Sequence, residues 1–514
     1  MSIYNDDEPI RKQNSTEEEA SLELDGNTEA RIINKQEAPL EESPFKVLLE
    51  LKGVGSGEGR LGVDLVTILD VSGSMQGTKI AKMQLAMQFL VQKLGRTDRL
   101  SVVTFNRKAD RRCPLRQMTE DSRTNITNDV NGLVARGSTN TEAGLKMAMK
   151  ILNERTRSKR RRAAIMLMSD GIEDDESDAA NVSVGDVPVY TFGFGSDCDG
   201  EVLRAIAKNG GTYADVVELD KLNVAFSMSL AGLLNVAIED LDLTITLDKG
   251  AKFTAVNAGN YQQNKGSKDV EPVTVKFGSL YDREIRKVLV DLTLPEVKNR
   301  LGANYFTISY RYRVGGKDTY KTNKIISNVT RVAGSSEAER EEVLAEEKRI
   351  GTASSMKEAR LLADAKKLEE ARKKLQDAKT KLSVKEVDAI LRAQLDQLLV
   401  FMVSQETYDK QGRAFALAVE ASHDSQRAQP LPNADPSKVG MFTTPLMDLF
   451  MQQAMLFDQN PTGYRVPTEE EDKKVILNKL EMAVKFMNDM ANKIKGMAMP
   501  GIGMFTGKPA QGKP

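Results

Sequence analysis

The chain has 514 residues, a formal net charge of -1, two cysteines and one histidine. This length predicts several domains, and the balanced charge gives no global basic field for binding nucleic acid. Three Cys and His side chains in total cannot build a four-ligand zinc site, which excludes RING fingers and zinc ribbons from this sequence. No apolar run approaches the roughly 20 residues that a membrane-spanning helix needs. We therefore expect a cytoplasmic protein without a transmembrane segment, and a nuclear or peripheral-membrane location stays open.

The first part of the chain changes from a polar tail to an alternating pattern. Residues 1–42 are acidic with few aromatic side chains, which predicts a disordered acidic tail. Residues 43–236 alternate between apolar strands and amphipathic helices. The strands are predicted at 45–51, 63–70, 100–105, 163–168 and 187–194, and the helices at 79–94, 121–134, 141–152 and 219–234. The pattern is typical of an α/β doubly wound (Rossmann-like) domain.

Three further regions follow this domain. Residues 237–333 alternate apolar and polar side chains with a period of two, which predicts an antiparallel β-sandwich. Residues 334–428 are rich in Ala, Glu, Lys, Leu and Arg, which predicts an α-helical region with coiled-coil character. Residues 429–514 are predicted to form a linker and methionine-rich carboxyl-terminal helices.

The methionine-rich region contains one strongly amphipathic helix. Thr468 and Glu471 have the spacing of a capping box, and an apolar stripe follows. The stripe is formed by Ile476, Leu480, Val484, Met487, Ala491 and Ile494. Two interpretations stay open, because such a stripe either docks on the protein's own body or forms a surface for a partner or for self-association.

Oxygen-bearing side chains recur at three predicted strand-to-helix corners. Asp70, Ser72 and Ser74 lie in Asp-Val-Ser-Gly-Ser directly after an apolar run, Thr139 lies in Gly-Ser-Thr-Asn-Thr before a helix, and Asp170 follows the next apolar strand. Hard oxygen ligands of this kind suit Mg²⁺, and such corners bind ligands in open α/β sheets. The first motif in isolation is equally compatible with a simple helix-capping turn. The three segments together predict a site for Mg²⁺ or Mn²⁺.

These motifs resemble the complete metal-ion-dependent adhesion site of von Willebrand factor A domains. The resemblance implies that the hydroxyls of Ser72 and Ser74 bind the metal, and that Thr139 binds it in the ligand-competent form. It also implies that Asp70 and Asp170 act largely through water. One coordination position is then left for water or for an Asp or Glu of a partner protein, since a cation with few directly bound carboxylates retains charge that attracts one.

Further segments are similar to plant von Willebrand A proteins, a group that includes RING-type ubiquitin ligases of the wavy-growth kind. The similarity covers about residues 44–428 and rests on five segments. These are Leu-Val-Thr-Ile-Leu-Asp-Val-Ser-Gly-Ser-Met-Gln-Gly-Thr-Lys at 65–79, Asp-Arg-Leu-Ser-Val-Val-Thr-Phe at 98–105, Tyr-Thr-Phe-Gly-Phe-Gly-Ser-Asp at 190–197, Gly-Ser-Leu-Tyr at 278–281 and Tyr-Asp-Lys-Gln-Gly-Arg at 408–413. Because the sequence contains no Cys/His-rich finger, the resemblance implies a non-enzymatic substrate-binding or scaffold role.

Several functions remain open from the sequence. The first is a protein-interaction module in which Mg²⁺ captures an acidic residue, with the helices available for homo-oligomerisation. The second is a RING-less relative that acts as a substrate adaptor or regulator of ubiquitin ligases. The third is a metal-assisted hydrolase, which the single histidine, His423, makes unfavourable. The basic cluster within residues 155–162 is interpreted as a solvated loop, with nuclear import or anionic-lipid contact as alternatives.

Overall fold

The computed structural model describes residues 4–10, 27–55, 59–170, 178–195, 198, 200–207, 211–216, 218–266, 268–317, 320–383 and 388–497. For Pro436 and residues 491–497 only the backbone is described. The chain divides into one unit over residues 1–466 and a second over residues 467–514. None of the described helices is long and apolar enough to span a membrane.

The first unit contains a doubly wound α/β domain. Its sheet has the order β10-β9-β8-β4-β5-β6, and β7 also pairs with β5. Strands β4, β5, β8, β9 and β10 are parallel, whereas β6 and β7 run antiparallel to β5. The strands are β4 (Gly62–Asp70), β5 (Arg99–Phe105), β6 (Ala109–Arg111), β7 (Arg116–Gln117), β8 (Arg161–Ser169), β9 (Val189–Phe194) and β10 (Tyr213–Val216). The predicted fold class is confirmed.

Helices cover both faces of this sheet, because its central strands are apolar on both sides. One face packs against Leu90, Ile126 and Phe226, and the other against Leu145 and Leu203. The helices are α1 (Thr78–Lys93), α2 (Glu120–Asn131), α3 (Thr141–Asn153), α4 (Gly200–Ile206) and α5 (Leu222–Leu234).

A β-sandwich of two sheets packs beside this domain. The four-stranded sheet has the order β1-β3-β15-β12, and the six-stranded sheet has the order β13-β14-β11-β16-β17-β2. The strands are β1 (Asn27–Ile33), β2 (Glu37–Ala38), β3 (Ser43–Val54), β11 (Val236–Leu247), β12 (Lys252–Asn257), β13 (Gln262–Lys265), β14 (Val273–Tyr281), β15 (Ile285–Leu294), β16 (Leu301–Arg313) and β17 (Lys321–Arg331). Its core includes alternate residues of β3, among them Val47, Leu49 and Leu51.

This sandwich corrects two predicted domain boundaries. The tail predicted over residues 1–42 contains strand β1, which pairs with β3 along its length. Strand β3, predicted as the start of the α/β domain at residue 43, lies between β1 and β15 in the sandwich instead. The predictions fail here because strand pairing between residues so far apart leaves no local signal.

The rest of the first unit is helical. The helices are α6 (Glu341–Asp364), α7 (Leu368–Thr380), α8 (Ala389–Phe401), α9 (Gln405–Thr407), α10 (Arg413–Ser425), α11 (Pro436–Val439) and α12 (Pro445–Gln459), and a π-helical turn at Tyr408–Gly412 joins α9 to α10. Helix α6, with 24 residues, lies within the region that the sequence predicts to be α-helical. Helix α12 packs on the α/β domain, where Met447 and Phe450 join its core and Phe457 lies 5.6 Å from Phe89 between ring centroids.

The second unit contains helix α13 (Glu469–Met497). It begins with the predicted capping box: Glu471 N donates to Thr468 Oγ1 (3.4 Å), and Thr468 N donates to Glu471 Oε2 (2.8 Å). Ile476 and Leu480 are partly buried, whereas Met487 is exposed. Val484, Phe486 and Met490 are exposed as well, so this part of the helix carries apolar side chains in contact with solvent.

Candidate metal centre

The two predicted metal-site carboxylates lie at the same edge of the parallel sheet. Strands β4 and β8 pair in parallel, with Leu69 opposite Met168, so their carboxyl ends coincide. Asp70 is the last residue of β4, and Asp170 directly follows β8. Both side chains are fully buried. Burying a charge is costly unless it is paired or bound to a metal. The two carboxylates at this edge therefore require a compensating positive charge.

The loop after β4 directs hydroxyl groups to the same place. Ser72 N donates to Asp70 Oδ1 (2.8 Å), and the Ser72 and Ser74 hydroxyl oxygens lie 3.0 Å apart. Residues 73–75 form one 3₁₀ turn whose Met75 is buried, and Gly77 turns the chain into helix α1 with a φ of 76°. A left-handed φ of this kind favours glycine. Ser74 is exposed, so the corner opens to solvent there.

Thr139 lies in a second loop, which is bonded to the first. Arg136 N donates to Val71 O (2.7 Å), and Gly73 N donates to Gly137 O (2.8 Å). Thr139 follows two residues later and is buried. The side chain of the next residue, Asn140, caps helix α3 by accepting from Ala143 N at 2.8 Å. These backbone bonds fix the position of the Thr139 segment beside the loop that carries the two serines.

The electrostatics of this corner favour a cation. Burial raises the pKa of Asp70 to about 6, although hydrogen bonds from Ser169 and Ser72 lower it, and the nearby charge of Asp170 adds to the rise. Lys79 Nζ donates to Asp170 Oδ2 at 3.1 Å. Two close, buried carboxylates disfavour each other's ionised form, and a bound cation relieves that cost. The donor set consists of oxygen atoms, as Mg²⁺ and Mn²⁺ prefer.

The structure brings the predicted segments together and adds residues that the sequence does not assign. Ser72 and Ser74 lie in the loop that follows Asp70, Thr139 lies in the loop bonded to it, and Asp170 directly follows the neighbouring strand. Metal ligation by these five residues stays a prediction. Among the described residues, no three His, Cys, Asp or Glu side chains form a cluster that would hold a metal alone. A site built mainly from hydroxyl groups does not require one.

Three supporting residues have no role predicted from the sequence. Ser169 donates its hydroxyl to Asp70 Oδ2 (2.6 Å), Asn106 Nδ2 donates to Arg136 O (3.1 Å), and Lys79 pairs with Asp170. Ser169 directly precedes Asp170, and that position is the only local signal. The pairings of Asn106 and Lys79 depend on the fold and have no signature in the sequence.

The single histidine lies away from this corner, in the helical region. His423 is buried, its Nε2 lies 2.9 Å from Gln394 Oε1, and its Nδ1 lies 3.2 Å from an Arg349 nitrogen. Burial and the positive charge of Arg349 lower the pKa of His423 to about 3. The arrangement assigns His423 a structural role in holding α6, α8 and α10 together.

Residues 64–226 match the family model of the von Willebrand factor type A domain. This segment is a von Willebrand factor A domain. Residues 385–455 match a second model, described as VWA / Hh protein intein-like. A solved structure titled von Willebrand factor type A from Catenulispora acidiphila has a TM-score of 0.59, covers 80% of this chain and 99% of its own, and is 16% identical. It shows that the fold is shared beyond the A domain.

Curated relatives of this chain include plant proteins. The E3 ubiquitin-protein ligase WAV3 of Arabidopsis thaliana is 30% identical over 257 residues, which cover 47% of this chain and 32% of that protein. The probable E3 ubiquitin-protein ligase WAVH2 of the same plant is 26% identical over 310 residues, which cover 53% of this chain and 40% of that protein. The match thus spans less than half the length of either relative. The A domain is a protein-interaction module, and the plant homology agrees with the resemblance of the sequence.

Proposed function

We propose that the A domain holds Mg²⁺ or Mn²⁺ at the corner formed by Asp70, Ser72, Ser74, Thr139 and Asp170, and captures an acidic side chain of a partner protein there. The observation that supports this proposal most strongly is the pair of fully buried carboxylates, Asp70 and Asp170, beside two hydroxyl oxygens 3.0 Å apart. Such a pair needs positive charge, and the exposed Ser74 leaves the corner accessible.

Each residue has a distinct task in this proposal. Ser72, Ser74 and Thr139 supply neutral oxygen ligands, while Asp70 and Asp170 supply the negative charge that keeps the ion in place. Ser169 and the Ser72 amide orient the Asp70 carboxylate. The bound ion supplies residual positive charge for a carboxylate of the partner. The sandwich and the helical region serve as a scaffold that carries the A domain.

Metal binding is tested with Mn²⁺ alone, titrated into the full chain in a calorimeter. Wild type is expected to bind one ion, and Ser72→Ala and Thr139→Ala are expected to weaken binding at least tenfold. Ser138→Ala, beside Thr139 in the same loop, is the matched control and is expected to bind as wild type does. No heat of binding in the folded wild-type chain would contradict the proposal.

Partner capture is tested with wild type and Asp70→Asn as baits, each with Mg²⁺ or with a chelator. Proteins that are retained only by wild type and only with Mg²⁺ are the expected partners. Their Asp and Glu residues in the bound region are then replaced by Asn and Gln, which is expected to abolish binding. Retention of every partner in the presence of chelator would reject capture through the metal.

A second candidate function is adaptor or regulator of ubiquitin ligases, which the similarity to WAV3 and WAVH2 favours. In this function the A domain binds a protein that a ligase modifies, or binds the ligase itself. Addition of the chain to a reconstituted ligase reaction is expected to change substrate modification, and Asp70→Asn is expected to remove that change. An effect that persists in Asp70→Asn would separate this function from the metal site.

A further inference from the structure

A short segment near the start of the chain lies on the A domain as a bound peptide would. Residues 4–10 have no helical or strand assignment, yet their backbone is bonded to the domain. Glu8 N donates to Leu115 O (2.8 Å), and an Arg157 Nη1 donates to Asp7 O (2.6 Å). Gln117 N in turn donates to Glu8 Oε2 at 3.1 Å. The segment is therefore held by specific bonds along its length.

Asp7 is the central contact of this segment. Its buried carboxylate lies 2.5 Å from Arg99 Nη1 and accepts from the Thr156 hydroxyl at 2.9 Å. Burial alone would raise the pKa of Asp7, but the bonds from Thr156 and Arg99 outweigh it and lower that pKa. Arg99 lies at the amino end of β5, so this surface is at the opposite edge of the sheet from the metal corner.

Tyr4 and Asp6 contact one arginine from two directions. The Arg111 guanidinium lies 3.8 Å from the centroid of the Tyr4 ring and makes two bonds to the Asp6 carboxylate, at 2.8 and 3.0 Å. Lys150 Nζ lies 4.5 Å from the same ring centroid. A cation over an aromatic face and a two-point guanidinium–carboxylate pair both give specificity for the side chains involved.

We infer that this surface is a peptide-binding site for acidic segments that carry a tyrosine two residues before an aspartate pair, and that residues 4–10 are its occupant within the same chain. The match to the A-domain family begins at residue 64, so the segment is additional to the domain. Most of its contacts are hydrogen bonds and ion pairs, which a competing peptide with the same side chains can replace. Arg99 and Arg111 pair with the carboxylates of Asp7 and Asp6, and these two arginines therefore select an acidic ligand.

The test uses the full chain with a protease site inserted within residues 11–26. The folded protein is cut, and exchange of the released fragment for a labelled synthetic peptide of residues 1–12 is followed by fluorescence polarisation. The fragment is expected to remain bound after cutting and to exchange with the labelled peptide. The uncut chain is expected to bind the labelled peptide at least tenfold more weakly, because its site is filled.

Two matched pairs of variants identify the contacts. An Asp7→Asn fragment is expected to dissociate at least tenfold faster, while Asn5→Ala, an exposed position of the same segment, is expected to behave as wild type. Arg111→Gln is expected to weaken peptide binding, while the exposed neighbour Arg107→Gln is not. Equal dissociation of the Asp7→Asn and Asn5→Ala fragments would overturn the inference. Unfolding of the A domain upon loss of the fragment, followed by circular dichroism, would overturn it as well.

Discussion

Strand β4 carries a buried carboxylate near each end, and the two carboxylates have different partners. Near the amino end, Asp64 accepts from Arg99 Nε and Nη2 (2.8 and 2.7 Å), from Arg155 (3.0 Å) and from Arg161 (2.7 Å). At the carboxyl end, Asp70 accepts from the Ser72 amide and the Ser169 hydroxyl, which are neutral. Asp64 and Asp70 are thus equally buried. Several positively charged side chains surround Asp64, whereas the direct hydrogen-bond partners of Asp70 carry no charge.

The difference separates a carboxylate whose charge is compensated by arginines from the carboxylate of the proposed metal site. The arginines around Asp64 complete their own ion pairs, so that end of the sheet has no need of an external cation. Asp98 extends this network, since burial raises its pKa but two bonds from Arg60, at 2.7 and 2.6 Å, help to hold it below the usual range. The pKa of Asp70 is raised instead. A buried acid whose charge remains uncompensated is where a cation gains most by binding.

The largest expected effect on the free energy of unfolding comes from replacing the carboxylate at one end of β4, in comparison with the same replacement at the other end. Asp64→Asn leaves several arginines without their counter-charge and is expected to lower the free energy of unfolding by about 3 to 5 kcal/mol. Asp70→Asn removes a disfavoured charge and is expected to change it by less than about 1 kcal/mol without metal. Urea unfolding in chelator at pH 7 measures both. Equal losses in the two variants would remove the distinction between the ends of β4.

A third buried carboxylate, that of Glu284, leads to a prediction about how stability depends on pH. Burial raises the pKa of Glu284, but Arg286 and Arg427 outweigh it and lower the pKa to about 2. Because the folded pKa lies below the unfolded value, its contribution to stability is complete above pH 4.5 and is lost as the pH falls toward 2. The free energy of unfolding is expected to fall by up to about 1.4 kcal/mol per pH unit in this window.

The control for this pH dependence is Glu284→Gln, which keeps the shape of the side chain and removes its titration. We expect this variant to be less stable at pH 7 and to have a flatter pH profile between 4.5 and 2. Denaturant unfolding at successive pH values gives both slopes. Parallel profiles for wild type and variant would assign the acid sensitivity to other groups.

Metal addition is expected to act at the Asp70 end alone. Mg²⁺ at 100 times its dissociation constant raises the free energy of unfolding by about 2.7 kcal/mol if it binds only the folded chain. Asp170→Asn is expected to abolish this gain, whereas Asp121→Asn, in the exposed first turn of α2, keeps it. Thermal unfolding with and without Mg²⁺ measures the difference. An unchanged gain in Asp170→Asn would place the ion elsewhere.

Local patterns predict the A domain well because its strands carry their own signal. Strands β4 and β8 are apolar on both faces, and their last residues fall at turns, so the sequence alone suffices to expect Asp70 and Asp170 at one edge of the sheet. The same reasoning finds the capping box of Thr468 and Glu471, since its two bonds span three residues.

Pairings between distant residues cannot be predicted in this way. Strand β1 has a polar, charged sequence typical of a tail and becomes ordered because β3 pairs with it. The basic cluster at 155–162 has the composition of a solvated loop, yet Arg155 and Arg161 bind Asp64 and Arg162 binds Glu239 at 2.6 Å. Each partner lies tens of residues away, and nothing in the local sequence specifies it.

The last prediction concerns Lys79, whose ammonium group contacts the metal corner through Asp170. Lys79 lies in the first turn of α1, where the helix dipole disfavours positive charge, and its ammonium pairs with Asp170 at 3.1 Å. It therefore neutralises part of the charge that a divalent ion requires and repels that ion. Lys79→Met is expected to bind Mn²⁺ about tenfold more tightly, which corresponds to about 1.4 kcal/mol.

Lys82→Met is the matched control, because Lys82 lies one turn further along α1 and pairs with the exposed Asp220 instead. Titration calorimetry of both variants separates the direct contact from the loss of one charge on the helix. Weaker binding in Lys79→Met would show that the lysine orients Asp170 for the metal. Equal changes in both variants would show that only the net charge of α1 matters, and the asymmetry of β4 would then depend on Asp70 and Asp170 alone.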